Sequence, residues 1–197
     1  MSVRNMIQNL NVSFPLLRKH IGMASRALLV AAVASICGCA AFNPPLETVE
    51  KVDVDRYLGR WFEIARYPNQ FETDCVGVTA DYALMDDGRV SVTNTCVEGD
   101  LDGEVRTIEG VARVTDPATN AKLAVSFFFP FEGDYWILEL GDDYEYAVVG
   151  EPSRTFLWIL SRESTLDDSV LEGIESRLPE LGYDPNRLEM VLQDSSQ

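Results

Sequence analysis

Short runs of alternating apolar and polar residues follow one another from residue 59 to residue 162, and turn residues separate them. Such alternation predicts half-buried strands, and the Asp-Asp-Gly sequence at 86–88 is a hairpin-turn signal. Eight runs have this character: 59–67, 75–85, 89–97, 104–115, 121–128, 134–140, 145–151 and 155–162. Eight antiparallel strands can close into a barrel that holds one small ligand, so we expect an all-β fold.

The period changes after residue 162. Apolar residues then recur at helical spacing, with Thr165 as the predicted N-cap, Asp168 completing a capping box and Gly182 ending the helix. Its apolar stripe is formed by Val170, Leu171, Ile174, Leu178 and Leu181. A helix with one apolar stripe suits the outside wall of a barrel. Residues 187–192 read as a short final strand.

The first strand contains the most distinctive stretch of the chain. Gly59 allows a tight bend, and Trp61 follows at the start of the strand, where an indole can fill the end of a core. We therefore expect Trp61 to be a core residue and not a ligand contact.

The first 38 residues differ from the rest, since they contain no Asp or Glu and hold four basic residues. They end in the apolar run 27–36, whose ten residues would span about 15 Å as a helix, half of a bilayer core. Residues 1–38 therefore read as a signal peptide, with Met23 as an alternative start. Residues 39–52 read as a tether, and 53–197 as the folded domain.

Beyond residue 38 the chain holds 12 basic and 32 acidic residues, a formal charge of −20. This charge disfavours nucleic acids and anionic membrane surfaces as partners. In an exported chain Cys75 and Cys96 are most simply a disulfide. The only histidine, His20, lies in the predicted signal peptide. We therefore expect no catalytic residue of the Ser-His-Asp type, no metal site and no cofactor. The acidic pairs 86–87, 142–143 and 167–168 fit ordinary turns and helix starts.

Two motifs carry a family resemblance. Residues 59–66, Gly-Arg-Trp-Phe-Glu-Ile-Ala-Arg, and 156–162, Phe-Leu-Trp-Ile-Leu-Ser-Arg, resemble the first and third motifs of the lipocalin family. Val-Ser-Phe-Phe at 125–128 and Tyr-Trp-Ile-Leu at 135–138 add to the likeness, which spans residues 52–192. Within that family, the chain specifically resembles bacterial outer-membrane lipocalin lipoproteins and apolipoprotein D-like lipocalins. In the second motif Tyr144 is kept, but Gly141 stands where the family has Asp.

The resemblance implies an eight-stranded antiparallel up-and-down lipocalin barrel, with the C-terminal helix packed outside and a short final strand. Trp61 would close the floor, and Arg162 would pack over its ring. Residues predicted to face inward are Val78, Ala80, Tyr82, Val92, Asn94, Leu123, Val125, Phe127, Phe156, Trp158 and Leu160. Those that match family pocket or mouth positions, or line the apolar wall between them, form our predicted ligand site: Tyr82, Asn94, Val125, Phe127, Phe131, Trp158 and Leu160.

A second resemblance concerns localisation. Residues 36–40, Ile-Cys-Gly-Cys-Ala, resemble the lipobox of bacterial lipoproteins. The lipobox implies cleavage before Cys39 and acylation there, with a further chain such as palmitate on its amine. Because Ala40 and not Asp follows, the sorting rule of that class favours the outer membrane, facing the periplasm.

We therefore expect a membrane-anchored lipocalin, not an enzyme, that binds a fatty acid, lysophospholipid or similar amphiphile for lipid transport or storage in the cell envelope. Two alternatives remain open. One is a lipid-modifying enzyme on the barrel that uses Tyr82 or a carboxylate. The other is an envelope scaffold with a filled cavity and a protein partner. The oligomeric state stays open, a homodimer included.

Overall fold

The structure is a computed structural model, and it describes residues 45–194. The predicted signal peptide at 1–38, the predicted acylation site Cys39 and the predicted tether up to residue 44 lie outside the described residues. None of the helices within 45–194 is long and apolar enough to cross a membrane.

The described chain forms an antiparallel barrel, preceded by a short helix and followed by a longer one. Helix α1 covers Val54–Tyr57. The strands are β1 Gly59–Arg66, β2 Cys75–Leu84, β3 Val90–Glu98, β4 Val105–Val114, β5 Lys122–Phe128, β6 Phe131–Leu140, β7 Tyr146–Gly150 and β8 Leu157–Ser161. Each strand pairs with the next, and β1 pairs with both β2 and β8. This closes the barrel and confirms the predicted fold.

Helix α2, Asp168–Arg177, follows the barrel and continues into a 3₁₀ turn, Leu178–Leu181. Gly182 ends it in the left-handed region (φ 81°), as predicted. The predicted cap Thr165 is wrong, because the carboxylate of Asp167 accepts from Ser169 N at 2.8 Å and caps the helix two residues later. The final strand β9 is only Glu189–Met190, beside β1.

Alternation along the strands divides the apolar side chains into two clusters. The inner cluster fills the barrel and is built around Trp61, Tyr82, Val92 and Leu160. The outer cluster lies between the barrel wall and α2, where Ile174 and other residues of the helix stripe pack on Phe62, Ile64, Leu138, Val148 and Ile159. The helix therefore covers the outside of the wall, as its single stripe predicts.

Two predictions about strands β2 and β6 are wrong in detail. Val78 is not part of the inner cluster but packs with Cys75 and Val191, because the β2–β3 register shifts between Val76 and Thr79, where Gly77 has φ 55°. Strand β6 begins at Phe131, three residues earlier than predicted, since Phe131 pairs with Phe128 across the hairpin.

The segment before the barrel docks by Val49 and Val52. Val49 N donates to Ile137 O at 3.0 Å, and Val52 N donates to Thr119 O at 2.7 Å. Val52 is buried in the inner cluster. The segment therefore helps to close the end of the barrel at which β1 begins, which we call the closed end. The opposite end, with the loops 67–74, 99–104, 129–130 and 151–156, we call the mouth.

Candidate ligand-binding site

Most of the predicted ligand residues share the inner face of the barrel. Asn94 lies on the same face of β3 as Val90 and Val92, since the β3–β4 register is continuous. The residues that line or pack on the inner cluster include Tyr82, Val125, Phe127, Trp158 and Leu160. The structure thus brings six of the seven predicted residues to one interior surface.

The closed end is centred on Trp61, which is fully buried. The guanidinium of Arg162 lies 3.8 Å from the ring centroid of Trp61, and Trp61 Nε1 donates to Tyr57 O at 2.9 Å. Arg162 also donates from Nη1 to Arg60 O at 2.8 Å and from Nη2 to Arg56 O at 2.7 Å. One arginine therefore ties together β1, β8 and the end of α1 over the indole.

The β6–β7 loop completes this end. Tyr144 O accepts from Arg162 Nε, and the hydroxyl of Tyr144 accepts from Asp53 N at 2.8 Å. At Gly141, where the family has Asp, a Cβ would lie 2.3 Å from the carboxyl group of Glu145. That carboxylate accepts from Asp143 N at 3.0 Å. Glu145 thus supplies a turn-capping carboxylate, which explains why glycine fits position 141.

Three tyrosine hydroxyls meet inside the barrel. Tyr135 lies between Tyr57 and Tyr82, with oxygen–oxygen distances of 2.8 and 3.0 Å. Burial raises the pKa of Tyr82 to about 12 and that of Tyr57 and Tyr135 well above the usual value, so all three stay protonated at neutral pH. They line a cavity of about 30 Å³. Sequence alternation placed Tyr82 here but did not show that Tyr57, from a helix outside the strands, would reach the same point.

Asn94 differs from the tyrosines, whose hydroxyls are hydrogen-bonded to one another. Its Oδ1 is buried, and within residues 45–194 it is the one buried side-chain N or O atom without a hydrogen-bond partner. The cross-strand neighbours of Asn94 are Ala80 and Ile108, neither of which carries a polar side chain.

A charged group near the mouth was missed by the sequence analysis. Glu63 is 4% exposed, and its Oε1 accepts from Arg66 Nη1 at 2.8 Å. Arg66 Nη2 donates to the carbonyls of Glu72 and Cys75 at 3.0 and 3.2 Å. Glu72 Oε2 accepts from Trp158 Nε1 at 3.1 Å. Burial and the nearby Glu72 carboxylate raise the pKa of Glu63 well above its usual range. The sequence could have indicated the burial of Glu63, because Glu63 lies on the same face of β1 as Trp61.

Aromatic rings continue from this group toward the mouth. Phe156 stacks on Trp158 with ring centroids 5.8 Å apart, and Phe71 lies 5.8 Å from Phe156. Phe156, which was predicted to face inward, immediately precedes β8 and links the half-buried Trp158 to the exposed loop residue Phe71. An apolar path of three rings therefore joins the surface to the inner wall.

Phe131 differs from the other predicted ligand residues. It lies at the tip of the β5–β6 hairpin and is 77% exposed, next to Phe129, which is 93% exposed. Glu132 faces outward and forms an ion pair with Arg113. These residues belong to the rim and not to the inner wall, so Phe131 could touch only the outer part of a bound molecule.

The predicted disulfide is confirmed. Cys75 and Cys96 are bonded, with Cα atoms 5.4 Å apart, and join β2 to β3 near the mouth. Asp87, in the β2–β3 turn, pairs with Arg89. Together with Asp167, this gives two of the predicted acidic pairs a local structural role. No cluster of three metal-binding side chains occurs among the described residues.

Comparisons with known proteins place this geometry in a family. Residues 52–193 match the family described as Lipocalin-like domain. The chain is 39% identical to Outer membrane lipoprotein Blc of Escherichia coli strain K12 over 173 residues, 86% of this chain and 97% of that protein. It is 37% identical to Temperature-induced lipocalin-1 of Arabidopsis thaliana, covering 77% and 84% of the two chains. Apolipoprotein D of Mus musculus is 34% identical, covering 74% and 78%. Insecticyanin from the tobacco hornworm shares the fold, with a TM-score of 0.63 at 23% identity over 79% of this chain and 88% of its own.

Proposed function

The chain belongs to the lipocalin family, and from this premise we propose that it is a binding protein for a small hydrophobic or amphiphilic molecule. The observation that supports the proposal most strongly is the inner wall. Apolar and aromatic side chains from the barrel strands converge there, with a few polar groups between them, which is the usual make-up of a ligand site.

In this proposal the direction of ligand entry follows from the difference between the two ends of the barrel. Trp61 and Arg162 fill the closed end. At the mouth, the rings of Phe71, Phe156 and Trp158 lead from the surface to the wall. We propose that the apolar part of the ligand enters along these rings, and that Val125, Phe127 and Leu160 contact it deeper in the barrel.

We further propose that the ligand is a fatty acid, a lysophospholipid or a similar amphiphile, and that the protein carries or stores it in the cell envelope. In this proposal residues 1–38 are removed and Cys39 carries the lipid anchor in the outer membrane, on the periplasmic side. The lipobox at 36–40 and the similarity to bacterial proteins named outer membrane lipoproteins support this. Cys39→Ala should yield a chain without lipid, which mass spectrometry of the purified protein can check.

Binding itself is tested by lipid mass spectrometry on protein purified from its own envelope, followed by titration of the delipidated protein with fatty acids. Trp158→Ala should weaken binding, because it removes a ring from the wall. Trp136→Ala is the matched control, since Trp136 packs on the outer cluster. A protein that carries no lipid and binds no fatty acid would refute the proposal.

A further inference from the structure

The buried Oδ1 of Asn94 has no hydrogen-bond partner within residues 45–194. An unpaired buried polar atom lowers stability relative to a paired one. Replacing such a residue by an apolar one of similar shape can be neutral or stabilising. A barrel that served only alkyl chains would gain nothing from an amide at this position.

The tyrosine group has a hydroxyl hydrogen without an acceptor among its own oxygens, and Tyr82 of this group lies on the strand next to Asn94. Three hydroxyl groups hold three hydrogens, but the two oxygen–oxygen contacts among Tyr57, Tyr135 and Tyr82 use only two of them. One hydrogen is therefore left over. Tyr82 pairs with Val92, the inward residue next to Asn94 on β3. Diagonal neighbours of this kind lie about 7–8 Å apart at their backbones, within reach of a long side chain.

We infer that Asn94 and Tyr82 form a polar subsite for a neutral hydroxyl group carried on the buried, apolar part of the ligand. A hydroxyl both donates and accepts, so it can satisfy the Asn94 amide and the tyrosine chain at once. This rests on the proposed function and narrows the ligand class to hydroxylated acyl chains or similarly hydroxylated lipids.

Electrostatics excludes a carboxylate as the group at this subsite. Burial is the largest cause of the raised pKa of the Tyr82 hydroxyl, so an anion at this depth would also lose its hydration. Arg66 cannot offset that loss, because it is already paired with Glu63. The ligand carboxylate or headgroup therefore stays toward the mouth.

The depth of Asn94 indicates which carbon carries the hydroxyl. Asn94 lies four residues below Glu98, the last residue of β3 at the mouth, which is about 13 Å along the strand. An extended chain advances about 1.2 Å per bond, so roughly eleven bonds cover that distance. A hydroxyl near the middle of an eighteen-carbon chain fits this depth, whereas one beside the carboxyl group does not.

The test compares octadecanoic acid with 12-hydroxyoctadecanoic acid by calorimetric titration of the purified, delipidated protein. The hydroxylated acid should bind about tenfold more tightly, as one well-made hydrogen bond allows. Asn94→Leu should abolish the difference and also raise the unliganded melting temperature by about 3 °C, since it removes the unpaired atom. Thr93→Val, one residue away on the outer face, should leave the preference intact.

The possible outcomes distinguish the hydroxyl subsite from the proposed lipid-binding function. Equal affinities in the wild type, or a preference that survives in Asn94→Leu, would overturn the subsite while leaving lipid binding in place. Failure of both acids to bind would instead overturn the proposed function, and this inference with it.

Discussion

The two ends of the barrel both use a tryptophan and an arginine, but in opposite ways. At the closed end Arg162 stacks on Trp61 and donates to backbone carbonyls, and no carboxylate in residues 45–194 pairs with it. At the mouth Arg66 pairs with the carboxylate of Glu63, and Trp158 donates to that of Glu72. The closed end therefore holds its arginine through an indole and carbonyl oxygens, whereas the mouth holds a buried carboxylate whose pKa is raised well above its usual range. Trp61 and Arg162 therefore form a permanent stopper at the closed end, whereas we expect the stability of the mouth to depend on pH.

The largest effect should come from removing the stopper. Trp61→Ala leaves a cavity under Arg162 and should lower the free energy of unfolding by about 3–5 kcal/mol. Urea denaturation measures this value. A loss below about 1 kcal/mol would mean that Trp61 does not hold the closed end together.

Loss of the disulfide should act on the mouth instead. The bond between Cys75 and Cys96 spans 21 positions of sequence, and closing a loop of that length stabilises a protein by about 3 kcal/mol. Cys75→Ser with Cys96→Ser should lower unfolding stability by that amount, measured in the same assay. The fold should persist, since the closed end is untouched; a double variant that does not fold would show that the two ends are not independent.

Arg162→Met should cost about 2 kcal/mol, because carbonyls of α1, β1 and the β6–β7 loop lose their donor and the indole loses its cation. Arg60→Met is the control, since the ion pair of Arg60 with Asp81 is exposed and contributes about 0–1 kcal/mol. Thermal or urea unfolding of both variants checks the contrast. Equal losses would contradict the special role of Arg162.

The smallest effect is the pH dependence of the mouth. The raised pKa of Glu63 means that the folded protein holds a proton that the unfolded chain releases above about pH 4.3. The stability that the protonated Glu63 gives to the folded protein is therefore complete at lower pH. It is lost as pH rises through the pKa that Glu63 has in the folded state. In Glu63→Gln the free energy of unfolding should fall by about 1 kcal/mol less than in the wild type when it is measured from pH 4 to 8. Glu132→Gln removes an exposed carboxylate whose pKa is lowered by Arg113, so it should leave the slope above about pH 5 unchanged. A wild-type slope in Glu63→Gln would refute the assignment.

The same comparison shows what the sequence could and could not predict. The closed end was predictable because Gly59, Trp61 and Arg162 lie in motifs, and alternation then sets their faces. The barrel and the outer helix followed from periodicity, and the disulfide followed from the two cysteines of a chain with a predicted signal peptide. Val78 was misplaced, since a register shift beside Gly77 breaks the alternation that placed it.

The mouth and the polar groups inside the barrel were harder to predict because their contacts join distant segments. Glu72 lies in a loop, and its contact with Trp158 spans 86 positions of sequence. Tyr57 belongs to a helix outside the strand pattern, yet it meets Tyr135 inside the barrel. No local rule relates such residues. The unpaired state of Asn94 is likewise a property of its cross-strand neighbours and not of β3 alone.

The central claim, that a lipid enters at the mouth and stops above the closed end, is tested most directly by quenching with a brominated fatty acid. Two variants each keep one tryptophan for this purpose, Trp61→Phe with Trp136→Phe and Trp136→Phe with Trp158→Phe. Saturating brominated octadecanoic acid should quench Trp158 strongly and leave Trp61 largely unquenched. Equal quenching of the two, or none at Trp158, would contradict the account.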